Sequence, residues 1–141
     1  MIRTVALLVT TGVAATVLAG CGGDSAYCAA VKDHESALHS YGKRTNASFS
    51  SSTAATRDIG KVAPADVKKQ WAEITAATRG VLTAHRRAGI TLQDMTDPAK
   101  LAGLGEADRA AIQKSYDRFN TSRAPRKAVV ENILAECEIT L

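Results

Sequence analysis

Apolar residues in this chain recur at steps of three and four positions, and no stretch alternates with a period of two. Steps of three and four place side chains on one face of an α-helix, whereas a half-buried strand requires alternate positions. Asn-Gly and Asp-Gly pairs, which favour tight hairpins, do not occur. We therefore expect an all-α protein. The clearest helix begins after Pro64 and ends at Arg87 before Gly89, and its predicted inward face is Val67, Trp71, Ile74, Thr78, Val81 and His85.

Helices are also predicted on either side of this segment. A first helix ends at Gly42, and its apolar face is Tyr27, Val31, His34, Leu38 and Tyr41. Residues 45–56 are rich in serine and threonine and lack periodicity, which predicts a solvated loop. Asp97-Pro98 predicts a short helical turn that extends through Leu101.

The C-terminal third predicts two more helices. One begins at Glu106 and Asp108, with an inward face of Ala107, Ala111, Ile112, Tyr116 and Phe119. Ser122 is expected to cap the last helix, which tolerates Pro125 in its first turn and has an apolar side of Val129, Val130, Ile133, Leu134 and Cys137. Four helices with short connections predict a small antiparallel four-helix bundle over residues 27–141. Few large side chains are expected in its interior. The main ones are Tyr41, Trp71, Tyr116 and Phe119.

Residues 1–20 have the composition of a secretory signal peptide. Arg3 precedes an apolar run that is broken by threonine and glycine and is followed by small residues. A retained membrane anchor is the alternative, although it would need about 20 uninterrupted apolar residues. Removal of Arg3 lowers the formal net charge slightly from its full-length value of +4. So small a charge does not favour a nucleic-acid partner.

The signal segment ends in Leu18-Ala19-Gly20-Cys21, which resembles the lipobox of bacterial lipoproteins. The resemblance implies that Cys21 receives a diacylglyceryl group and that a peptidase cuts between Gly20 and Cys21. The mature protein would then be anchored to the membrane by its lipid, because two or more acyl chains hold a protein stably at a bilayer. An ordinary secreted protein with a plain thiol at Cys21 is the alternative.

If Cys21 carries lipid, Cys28 and Cys137 remain. An exported compartment is oxidising enough for them to form a disulfide, although two unrelated buried thiols are an alternative. A bundle with an even number of antiparallel helices would bring these two cysteines to the same end. No Cys-x-x-Cys spacing supports a redox-active dithiol.

The histidines suggest metal binding only weakly. His34 and His39 resemble the zinc-protease pattern His-Glu-x-x-His with one residue too many, which separates them by about 140° around a helix. Glu35 and His39 share a face, but two solvated surface groups are the favoured interpretation. His34 and His85 interrupt apolar faces, where a structural polar layer is favoured over a metal or haem ligand.

These patterns predict residues 1–20 as a signal peptide, residues 21–26 as a lipidated cysteine with a short linker, and residues 27–141 as the helical domain. Around Tyr27-Cys28-Ala29-Ala30-Val31 and Cys137, the chain is similar to small two-cysteine helical lipoproteins of high-GC Gram-positive bacteria. We expect an exported, non-catalytic lipoprotein at the outer face of the membrane that requires no cofactor and acts through a protein partner or small ligand. The alternatives are a metal- or haem-binding lipoprotein that uses His34 and His85 or Glu35 and His39, and a cell-envelope hydrolase.

Overall fold

A computed structural model describes residues 25–141 of the chain, and the regular structure in that range is entirely helical. The prediction of an all-α protein is therefore confirmed for this range. The signal peptide, Cys21 and residues 22–24 of the linker lie outside the described residues. The helices are α1 (Ala26–Asp33), α2 (Glu35–His39), α3 (Asn46–Val62), α4 (Ala65–Arg87), a 3-10 helix (Gln93–Thr96), α5 (Pro98–Ala102), α6 (Glu106–Thr121) and α7 (Arg123–Cys137).

Helix α4 is the centre of the fold and packs against α3, α6 and α7. Its predicted ends are confirmed, because Pro64 precedes the first turn and Gly89 adopts a φ of +69° just beyond the last. A positive φ at this position favours glycine, which has no Cβ to clash with the backbone. The whole predicted inward face is buried: Val67, Trp71, Ile74, Thr78, Val81 and His85.

The prediction of a loop at residues 45–56 is wrong, because these residues form most of α3. Thr45 caps this helix by accepting a hydrogen bond from the Ser48 amide at 3.1 Å. The buried face of this helix includes small polar side chains. Because these are not apolar, the spacing of apolar residues does not show the helical period. The buried face consists of Phe49, Ser52, Ala55, Thr56 and Ile59.

Hydrogen bonds satisfy the hydroxyl groups on the buried face of α3. Ser52 Oγ donates to the Ala37 carbonyl at 3.1 Å, which joins α3 to α2. Thr75 Oγ1 on α4 donates to Thr56 Oγ1 at 3.0 Å. Such partners remove most of the cost of burying a hydroxyl. The helix therefore depends on its neighbours more than on its own propensity.

A proline scan distinguishes a helix from a loop at these residues. Ser51→Pro is expected to lower the free energy of unfolding by about 3 kcal/mol, because proline removes a helical hydrogen bond and clashes with the preceding turn. Ala47→Pro is the matched control, since Ala47 lies in the first turn, where proline is tolerated. Urea denaturation followed by circular dichroism measures both, and equal small effects would contradict the helix.

Three details of the remaining helices differ from the sequence expectation. The first predicted helix breaks at His34, whose amide is shared between the Ala30 and Val31 carbonyls, and nothing in the local sequence explains the break. Ser122 does not cap α7 with its side chain, because its Oγ donates to the Phe119 carbonyl at 2.6 Å instead. The buried face of α7 is also narrower than predicted. Val130 and Leu134 belong to the predicted apolar side, but they are 39% and 53% exposed.

Other expectations about these segments hold, with two exceptions. Gly42 has a φ of +87°, but α2 ends earlier, at His39 with Ser40 as its C-cap, so Gly42 does not directly end the helix. Asp97 caps α5 by accepting a hydrogen bond from the Ala99 amide at 2.9 Å. The chain breaks between α6 and α7 at Ser122, and Pro125 lies in the first turn of α7. Ala107 of α6 is exposed, which contradicts its predicted inward position.

The main core surrounds Trp71 and extends to the start of α1 and the end of α7. A smaller cluster of Phe49, Val81 and Leu92 lies near the other end of α4. Trp71 is 1% exposed, and its Nε1–H donates to Tyr27 Oη at 3.3 Å. None of the described helices is both long and apolar enough to cross a bilayer.

Candidate binding groove

A concave site of about 180 Å³ lies where α2, α3, α4 and α7 meet, and we call it the apolar groove. Trp71 and Ile74 from the buried side of α4 contribute to its wall. Val130, which also lines the groove, is 39% exposed. Its lining is Leu38, Tyr41, Thr56, Trp71, Ile74, Arg126, Val129, Val130 and Leu141.

The C-terminal residues complete the groove because α7 ends in a turn. Glu138 has a left-handed φ of +57°, and its amide donates to the Leu134 carbonyl. Ile139 and Leu141 then pack against the main core. This turn brings Leu141, which lies beyond the end of α7, into the lining of the groove.

The groove contains one positive charge, on Arg126. The Arg126 guanidinium lies 4.8 Å from the ring centre of Phe119 and 5.6 Å from that of Tyr41. Both distances suit a cation–π interaction, and the two rings stack against each other with centres 5.6 Å apart. Arg126 forms no ion pair with any residue in the described range 25–141. The aromatic rings therefore hold a cation that forms no direct ion pair within residues 25–141.

Tyr41 adds a polar atom to the same site. Its hydroxyl oxygen is buried and has no hydrogen-bond partner among the described residues. Burial raises the pKa of Tyr41, and the neighbouring Arg126 and Ser122 partly offset that rise. The hydroxyl therefore stays protonated at neutral pH and can donate a hydrogen bond.

The structure brings Cys28 and Cys137 together. Their sulfurs lie at disulfide distance, and their Cα atoms are 5.3 Å apart across 109 positions of sequence. Cys28 lies in the first turn of α1 and Cys137 is the last residue of α7. The pair therefore ties the two ends of the described domain, and Cys21 lies outside the described residues.

His34 and His85 do not form a shared site. His85 is 1% exposed, and its Nδ1 lies 2.9 Å from the Val81 carbonyl, to which it donates. Its Nε2 is then left to accept from Tyr116 Oη at 3.4 Å. His34 is half-buried at the break between α1 and α2. The structure thus places His85 in a polar pair with Tyr116 rather than with His34.

Glu35 and His39 lie on one helix face, and His39 Nε2 is 3.4 Å from Glu35 Oε1. Their side chains are 44% and 51% exposed, which fits a solvated surface pair. Within residues 25–141, no group of three or more histidine, cysteine, aspartate or glutamate side chains is placed to hold a metal ion.

Sequence reasoning missed the groove itself. Tyr41 and Trp71 stood out as large side chains, but Arg126 resembled any solvated cation near a helix start. Thr56 fell in the segment that was expected to be a loop. Comparisons with protein families, curated proteins and solved structures find no match for this chain.

Proposed function

We propose that this chain is an exported lipoprotein, tethered through Cys21 to the outer face of the cytoplasmic membrane, whose helical domain is a non-catalytic binding module. The observation that carries the proposal is Leu18-Ala19-Gly20-Cys21 at the end of a signal-like segment. Of the three cysteines in the sequence, Cys28 and Cys137 lie at disulfide distance from each other. This leaves Cys21 as the cysteine available for lipid.

The proposed architecture is a four-helix bundle with two broken members. In this arrangement α1 and α2 form the first member, α3 the second, α4 the third, and α6 followed by α7 the fourth. Contacts along α4 support it: Tyr116 of α6 meets His85 near the end of α4, and Asn132 of α7 donates to Asp66 near its start at 3.4 Å. An even number of members puts the two cysteines at one end.

The tether fixes which end of the domain faces the bilayer. Residues 22–26 span at most about 18 Å when fully extended. The end of the bundle that contains Cys28 and Cys137 therefore lies against the lipid headgroups. Much of α2 and the start of α3 lie further from the membrane, where a partner or small molecule can reach them.

The chemistry of the groove supports binding over catalysis. Its polar side chains are Arg126, Tyr41 and Thr56, and Thr56 is already hydrogen-bonded to Thr75. General acid–base catalysis commonly needs an imidazole or carboxylate near the reacting atoms, and nucleophilic catalysis needs an activated nucleophile. No side chain of the lining carries an imidazole, carboxylate or thiol.

Metabolic labelling with an alkyne-bearing fatty acid tests the lipid anchor. In a Gram-positive host, we expect the wild-type chain to incorporate the label and to sediment with membranes. Cys21→Ser is expected to abolish the label completely. The double variant Cys28→Ser with Cys137→Ser is the matched control, because it removes two cysteines and should keep the label. Equal labelling of the Cys21→Ser chain and wild type would overturn the proposal.

A further inference from the structure

We propose that the apolar groove binds a small carboxylic acid whose apolar body is about the size of one aromatic ring, with its carboxylate held by Arg126. This inference rests on the proposed binding function and adds the chemical class of the ligand. It does not depend on the lipid anchor, so the two proposals can fail separately.

The size of the groove limits the apolar part of the ligand. A cavity of roughly 150 Å³ lined by aliphatic and aromatic side chains is known to hold benzene. The groove is partly open to solvent, has a volume of about 180 Å³ and is lined mainly by such side chains. A single ring or a short alkyl chain therefore fits, whereas a long acyl chain would extend into solvent beyond Val130.

The charge of the groove selects the polar end of the ligand. Arg126 is the charged side chain of the lining, which contains no aspartate or glutamate. A guanidinium presents its N–H groups as a planar fork that matches the two oxygens of a carboxylate. Stacking near Phe119 and Tyr41 limits the orientations of this fork. An amine at the same position would be repelled.

The unpartnered hydroxyl of Tyr41 is a second reason for an oxygen-bearing ligand. A buried hydroxyl without a partner costs free energy, and a ligand oxygen that accepts its hydrogen bond removes that cost. Arg126 lies over the ring of this tyrosine. Tyr41 therefore lies beside the carboxylate that Arg126 would hold.

Trp71 provides a direct readout because it lines the groove and is the single tryptophan of the sequence. The Cys21→Ser full-length chain and the wild-type protein are each reconstituted in lipid nanodiscs and titrated separately with phenylpropionate. Phenylpropanol and phenylpropylamine have the same ring with a neutral or a cationic end. We expect phenylpropionate to change Trp71 emission saturably and to bind about tenfold more tightly than the alcohol, with the amine weakest.

Variants identify the residues responsible for this preference. Arg126→Gln should weaken phenylpropionate binding about tenfold and leave phenylpropanol binding almost unchanged. Lys127→Gln is the matched control, because it removes the same charge from the adjacent position, where the side chain is 75% exposed and pairs with Glu131. Tyr41→Phe should weaken the acid by a smaller factor. Circular dichroism verifies that each variant is folded.

Several results would overturn the proposal. One is a wild-type protein that gives no saturable change with the acid or binds acid, alcohol and amine equally. Another is an equal loss of acid binding in Arg126→Gln and Lys127→Gln. If Arg126→Gln does not fold, the proposal is decided by two other measurements. These are the relative affinities of wild type for the acid, the alcohol and the amine, and the effect of Tyr41→Phe on binding of the acid. Binding by the Cys21→Ser chain when no lipid is found on wild type would refute the anchor and keep the ligand site.

Discussion

Replacing Cys28 and Cys137 by alanine is expected to lower the free energy of unfolding by about 4 to 5 kcal/mol. The two residues are separated by 109 positions, so their bond would close a loop that spans nearly the whole described domain. In the chain-entropy description, a disulfide that closes a loop of about 100 residues restricts the unfolded chain by about this amount. Few large side chains fill the core, and the covalent link is therefore a large part of the total stability.

The loss should be visible as a fall in the melting temperature on the order of 15 °C. Reduction of the wild-type protein provides the control, because it should reproduce the behaviour of the double variant and leave that variant unchanged. Two cysteines that were unrelated buried thiols would give a different result: reduction would not change the melting curve of wild type.

Trp71→Ala is expected to cost about 3 to 5 kcal/mol, because it removes the largest buried side chain and leaves a cavity. Helices α3 and α4 approach closely at this residue because Gly60 of α3 has no side chain. A Cβ placed on Gly60 would lie 3.2 Å from the Trp71 Cβ, so the backbone of α3 lies almost against α4 at this point. The surrounding helices cannot collapse fully into the space without losing other contacts.

Two conservative variants separate the packing of Trp71 from its hydrogen bond. Tyr27→Phe removes the acceptor of the Trp71 Nε1–H bond and should cost about 1 kcal/mol. Trp71→Phe loses the same bond and part of the volume, and its cost should lie between the other two. Urea denaturation monitored by circular dichroism suits all three variants. A Trp71→Ala chain as stable as the Tyr27→Phe chain would contradict a core centred on this residue.

The contrast between α4 and α3 indicates how far the sequence predicts this fold. Val67, Trp71 and Ile74 are large and apolar at helical spacing, so their period is visible without any tertiary information. The buried face of α3 contains Ser52 and Thr56, whose side chains favour turns when they stand alone. Their partners are Ala37 and Thr75, which lie on other helices. Local sequence therefore could not distinguish this helix from a loop.

The roles of the polar residues also depend on partners from other helices, which local sequence does not reveal. His85 was recognisable as a polar group on an apolar face, but its partner Tyr116 lies on a helix that sequence spacing does not align with α4. Arg126 gave no signal at all. Its role in the groove arises from two aromatic rings, Tyr41 and Phe119, that the fold brings beside it.

The most direct test of the proposed lipid anchor and disulfide is the intact mass of the protein isolated from membranes, measured with and without thiol alkylation. We expect a chain that begins at Cys21, carries a diacylglyceryl group, and takes up alkylating reagent on Cys28 and Cys137 only after reduction. A chain that retains residues 1–20, an unmodified Cys21, or alkylation of Cys28 and Cys137 without reduction would contradict this expectation.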